Sequence, residues 1–109
     1  MKNTLWVVVI SLALTALSAF AQDTSQIKVK GSVTVTGVVI VDIFKNGKSY
    51  ELQCNEGASF CKPLKSGTYA MVELPEHFGL YDCKNVEVYR ENGDVSRPDR
   101  LGEFCLITK

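Results

Sequence analysis

Hydrophobic and polar positions alternate with a period of two along most of the chain after residue 26, the pattern of strands with one buried face. In "IKVKGSVTVTG" the apolar set Ile27, Val29, Val33 and Val35 falls on one face, with Lys28, Lys30, Ser32, Thr34 and Thr36 on the other. Gly31 interrupts the apolar face and marks a bulge or a close backbone approach. "VVIVDIFKNGKSYELQC" gives the sharpest local prediction. Asn46-Gly47 is a preferred two-residue hairpin turn, because a type I′ turn needs positive φ at both positions. Pairing Lys45 with Lys48 then sets Ile43 against Tyr50, Val41 against Leu52 and Val39 against Cys54 on one apolar face. On the other face Asp42 meets Glu51, a like-charge pair that requires solvent.

Further strands are expected at Thr68–Leu74 after a Ser66-Gly67 turn, in "CKNVEVYRENGD", and in the closing "LGEFCLITK". Pro75 ends the first of these. "EHFGLYDC" and "ENGDVSRPDR" read as loops, and no helix, repeat or interdomain linker is apparent. Six or seven short strands separated by turn signals predict an all-β fold, a small antiparallel β-sandwich. Lys28 and Lys30 read as guards of a sheet edge.

The N-terminus breaks this pattern. Lys2 is followed by an apolar run, Leu5 to Leu17, and by Ala19-Phe20-Ala21, the three parts of a cleavable secretory signal peptide. The expected organisation is a signal peptide over 1–21 and one secreted β domain over 22–109, extracellular or periplasmic, with no membrane insertion after cleavage. With 12 basic and 12 acidic residues the chain has no basic field to attract nucleic acid.

Four cysteines, Cys54, Cys61, Cys83 and Cys105, all follow the signal. An even number in an oxidising compartment reads as two disulfides. The intervening lengths lack the close C-x2-C pairs of zinc sites and the C-x-x-C of redox pairs. Register favours Cys54–Cys61 across a short turn and Cys83–Cys105 folded about the "ENGDVSRPDR" loop, with Cys54–Cys83 and Cys61–Cys105 as the alternative.

The stretch "GASFCKPLKSGTYAMVELPEHFGLYDCKNVEV" resembles the middle of transthyretin-like sandwich modules related to carboxypeptidase regulatory domains, with Phe60, Leu64, Gly67 and Tyr69 in the matching places. It departs from them in its four cysteines and in Pro63. The resemblance implies a non-catalytic structural or binding module and carries over no active residue. The chain is also similar to small secreted bacterial proteins, which implies no activity.

Candidate chemistry is sparse. His77 is the only imidazole, so a nucleophilic triad would have to use it, and it reads instead as a solvated loop residue. Nucleotide, zinc-protease and nucleophile-elbow motifs are absent. Asp94, Asp99 and Glu103 offer oxygens for calcium without EF-hand spacing and read as a solvated acidic loop. No catalytic set, metal site or cofactor is expected. Tyr50 and Tyr69 fit sheet packing, whereas His77, Phe78 and Tyr81, beside Cys83, form a candidate partner contact. The sequence therefore predicts a non-enzymatic binding or structural module for a protein or envelope component of unknown identity. The alternative is a small secreted inhibitor of a hydrolase (a protease or lysozyme), with the stapled 54–61 loop as a rigid insert.

Overall fold

The computed structural model describes residues 24–76, 78–93 and 95–109. The expected signal peptide, His77 and Asp94 lie outside the described residues. Six strands are formed: β1 (Thr24–Val35), β2 (Val38–Lys45), β3 (Lys48–Asn55), β4 (Gly67–Glu73), β5 (Lys84–Arg90) and β6 (Gly102–Thr108). One 3-10 turn, Arg97–Asp99, precedes β6.

The strands close into an antiparallel barrel in the order β1-β2-β3-β6-β5-β4. This corrects the expected sandwich, although the all-β class holds. The physical reason is β1. Its 12 residues are long enough to pair with β2 over Lys28–Val35 and with β4 over Thr24–Val29, so one strand joins both ends of the sheet. Lys28 accordingly guards no edge, lying between Phe44 and Thr68.

Gly31 is indeed at a bulge, and the bulge changes the face of everything after it. The pairing shifts between Val29↔Ile43 and Gly31↔Asp42, leaving Lys30 as the extra residue. Ile27 and Val29 point into the barrel and are buried. Beyond the shift, Ser32 and Thr34 oppose the inward Val41 and Val39, while Val33 and Val35 oppose Ile40 and Val38 on the outside. The single face expected for Ile27, Val29, Val33 and Val35 is therefore corrected: the last two are 58% and 53% exposed.

The β2–β3 hairpin follows the expected register at every pair, from Val38↔Asn55 to Lys45↔Lys48. Asn46 and Gly47 take φ 52° and 78°, as a type I′ turn requires. The Asp42–Glu51 repulsion is relieved by Lys109, whose ammonium lies 2.8 Å from Asp42 and 3.8 Å from Glu51.

Ile43, Val41, Leu52, Met71, Val86, Val88 and Phe104 fill the barrel. One mouth is plugged by Leu64, whose backbone N–H donates to the Ser32 hydroxyl at 3.0 Å and whose carbonyl accepts from it at 2.7 Å. At the other mouth Glu73 faces Lys45 at 3.4 Å and Lys84 at 4.0 Å. The disulfides are Cys54–Cys61 and Cys83–Cys105, with Cα separations of 5.6 and 5.9 Å. Tyr50 and Tyr69 pack against the core as expected.

Candidate functional site

Two loops cross the outer face of β5 and β6. The first runs from Pro75 to Cys83 and the second from Glu91 to Leu101. Alternation along β5 and β6 sends Val86, Val88 and Phe104 inward and leaves Asn85, Glu87, Tyr89 and Glu103 pointing out beneath these loops. All four are buried, the carboxylates of Glu87 and Glu103 lying in residues only 1% and 2% exposed. Burial of two carboxylates directly opposite each other demands compensation.

The second loop supplies it. Arg97 donates from Nε to Glu87 at 2.9 Å and from Nη2 to Glu103 at 3.5 Å. Arg100 lies with Nε 3.9 Å from each carboxylate, and its guanidinium stacks 3.6 Å from the centre of the Phe60 ring. The Tyr89 hydroxyl donates to Glu87 at 2.8 Å. Burial, then this bond to Glu87, pushes the Tyr89 hydroxyl well above its ordinary pKa, while the hydrogen bond from Arg97 to Glu87 holds the guanidinium above its own. Two cations balance two anions, and both carboxylates are spent on internal partners. Glu103, expected in an exposed acidic loop, is instead a buried strand residue; Asp99 sits in the 3-10 turn and is exposed. Among the described residues no group of three metal-ligating side chains is assembled.

The first loop is held from below by the same strands. The Asn85 amide accepts from the Tyr81 N–H at 3.0 Å and donates to the carbonyls of Tyr81 and Cys83 at 2.6 and 3.0 Å. Glu103 accepts from the Leu80 N–H at 2.8 Å. The Phe78 N–H closes a turn onto the Pro75 carbonyl at 3.2 Å. Gly79 adopts φ +108°, and a β-carbon there would collide with the Asn85 side chain, so glycine is required on both counts. The Cys83–Cys105 disulfide fixes the C-terminal end of the loop.

The outcome is a tethered loop with its apolar side chains turned outward. Phe78 and Leu80 are 62% and 58% exposed. Beside them a cleft of about 300 Å³ opens between Pro75, Glu76, Tyr81, Asp82 and Lys84. Of the three contact residues expected from sequence, Phe78 is on the surface, and His77 lies outside the described residues. Tyr81 is half-buried against the core cluster, with its hydroxyl accepting from the Asn55 N–H at 3.2 Å. Leu80 was not expected. Its place in "HFGLY", two residues after Phe78 across a glycine, was the available signal. The Glu87–Glu103–Arg97–Arg100 network was likewise missed, since no sequence pattern says that two loops cover the outer face of a strand pair. Comparison with protein families, with curated proteins and with solved structures found no match for this chain.

Proposed function

We propose that this chain is a secreted, non-catalytic β-barrel module that binds a protein or envelope component through the Phe78–Leu80 loop. The observation that carries the reading is a contradiction in ordinary surface design. Two large apolar side chains stand in solvent on a loop tied down after Phe78 by Glu103 at Leu80, by Asn85 at Tyr81 and by the Cys83–Cys105 disulfide. A surface that gains nothing from these residues in the free state is explained by a bound state that covers them. Because the loop is already fixed, little ordering entropy is lost on binding. Secretion is inferred from the N-terminal pattern together with two disulfides, which persist in oxidising compartments. The resemblance of residues 57–88 to transthyretin-like modules implies the same non-catalytic class.

The alternative reading, an inhibitor of a hydrolase, would use the Cys54–Cys61 loop as its insert, in which Asn55, Glu56, Gly57, Ser59 and Phe60 are exposed and Phe60 stacks on Arg100. The test uses the oxidised protein and its Phe78→Ser/Leu80→Ser variant as paired baits against the extracellular and envelope fraction of the source. A component retained by the first and lost by the second, by at least about tenfold, supports the reading. Equal retention by both removes the loop from it. Inhibition of a purified hydrolase that the variant fails to reproduce would transfer the same loop to the inhibitor class.

A further inference from the structure

The two disulfides stand in different surroundings. Cys54 is 2% exposed and belongs to the core cluster of the barrel, and half-buried Cys61 packs against that cluster. Cys83 and Cys105 take no part in it. Cys105 alternates with the inward Phe104 and so points outward from β6, where it is bonded to an exposed Cys83. Cys83 lines two clefts. One is the cleft of about 300 Å³ beside the Phe78–Leu80 loop. The other, of about 190 Å³, is walled by Val38, Gln53, Asn55, Tyr81 and Cys105, and the buried Cys54 reaches it as well.

Thiol–disulfide exchange needs a sulfur that can be reached and a second sulfur that can leave with negative charge. In Cys54–Cys61, burial bars attack on Cys54. Attack on Cys61 would expel the Cys54 thiolate into the apolar core, where an unpaired charge is costly. Attack on Cys83 meets neither obstacle. Cys83 is exposed, and Cys105 leaves on the outer face of the sheet, between Gln53 and Asn85. An approaching thiolate finds charges of both signs around Cys83, Glu76 and Asp82 against Lys84. Access and the leaving sulfur, rather than a local field, therefore separate the two bonds.

We propose that Cys83–Cys105 is a thiol-exchange site, opened by a dithiol while Cys54–Cys61 stays closed, and that its opening frees the Phe78–Leu80 loop. One thiolate of the dithiol attacks the Cys83 Sγ. The Cys83–Cys105 bond breaks, and Cys105 leaves as a thiolate and takes up a proton. The second thiolate of the dithiol then attacks the reagent sulfur bonded to Cys83, which closes the reagent's own disulfide and releases Cys83 to take up a proton. The protein is reduced by a pair of electrons, and the dithiol is oxidised by the same pair. The barrel persists, because β6 keeps its pairing with β3 and β5. The loop loses its covalent anchor and retains its hydrogen bonds to Asn85, Glu103 and Asn55. As a control on partner binding this rests on the reading of the loop as the contact surface; the exchange itself does not.

The test exposes the oxidised protein to dithiothreitol in native buffer, quenches it with iodoacetamide at intervals and maps the alkylated cysteines by peptide mass. Cys83 and Cys105 are expected to be alkylated together, at least about tenfold faster than Cys54 and Cys61, which must wait for an opening of the folded chain. In guanidinium chloride, where burial is gone, the two pairs should react alike. Equal rates in native buffer, or Cys54 and Cys61 first, overturn the inference. The half-reduced, alkylated protein should then exchange its Leu80 and Tyr81 amides faster than the oxidised protein, with the barrel strands unchanged. Unchanged protection at Leu80 and Tyr81, or protection lost across the strands, overturns the release of the loop. Used as a third bait, this protein should retain less of any component that Phe78→Ser/Leu80→Ser loses, and undiminished retention overturns the control on binding. Paired baits that retain the same components sink the loop reading and leave the order of alkylation to decide the exchange site.

Discussion

Glu103 meets two loops at once: one carboxylate oxygen accepts the Leu80 N–H and the other faces Arg97, with Arg100 beyond. Its removal leaves the Leu80 N–H without its acceptor and leaves an excess of positive charge. Breaking a buried ion pair from one side costs about 3 kcal/mol, so Glu103→Ala is expected to lower the denaturant midpoint by that amount. Arg97→Ala is expected to lower it less, because that side chain is 61% exposed and water replaces much of what is lost. Chemical denaturation of both variants checks the order, and a larger loss at Arg97 would show the network to be held differently. Tyr89 supplies a pH dependence to the same cluster. Burial and Glu87 raise its folded pKa above the ordinary 10.0, so the folded state favours the neutral phenol. The contribution to stability is complete below pH 10.0 and is lost as pH rises above it, because only the unfolded chain then releases the proton readily. Stability measured against pH should turn down on the alkaline side of that value, and Tyr89→Phe should flatten the fall. An unchanged alkaline slope in the variant would assign the loss to another group.

At the scale of the element, Gly79 and Ser32 are the residues on which local structure turns. Gly79→Ala meets both a left-handed backbone and the Asn85 side chain, so the loop must move away from β5. The strain is worth about 1–3 kcal/mol. Weaker amide protection at Leu80 and Tyr81 in hydrogen exchange, with the barrel strands unaffected, is the expected signature. Ser32→Ala removes two bonds to the Leu64 backbone and leaves its N–H and carbonyl unsatisfied at the barrel mouth, at roughly 1–3 kcal/mol. The sequence made the β2–β3 hairpin legible pair by pair because one turn, Asn46-Gly47, fixes the register of everything that follows. It left Val33 and Val35 on the wrong face for a related reason. A bulge adds one residue without disturbing the alternation on either side, so Gly31 announced an irregularity but not its sign. The site was half legible in the same way. Aromatic and apolar residues beside Cys83 marked the loop, but which of them faces water depends on Asn85 and Glu103, which reach it from β5 and β6.

The whole molecule is a small barrel whose closure depends on distant pairings, β1 with β4 and β3 with β6, and a domain of this size has little core to spare for mobile loops. The two disulfides therefore divide the work. Cys54–Cys61 spans a sequence separation of 7 and ties the end of β3 to the segment that delivers Phe60 and Leu64. Cys83–Cys105 spans 22, joins the loop to β6, and encloses all of β5 with the arginine-bearing loop. Chain entropy alone ranks them at about 2 and about 3 kcal/mol, so Cys83→Ser/Cys105→Ser should lose more stability than Cys54→Ser/Cys61→Ser. The structure adds a second difference that entropy does not. Without Cys83–Cys105 the Phe78–Leu80 loop keeps its hydrogen bonds to Asn85, Glu103 and Asn55 but loses its covalent anchor, and its exposed aromatic becomes open to a protease that cuts beside aromatic residues. Chymotrypsin should nick the Cys83→Ser/Cys105→Ser variant in this loop under conditions that leave the barrel folded, and should spare the loop in Cys54→Ser/Cys61→Ser. If both variants are cut there at the wild-type rate, the staple is dispensable to the loop, and the hydrogen bonds to Asn85, Glu103 and Asn55 hold the surface that the protein presents.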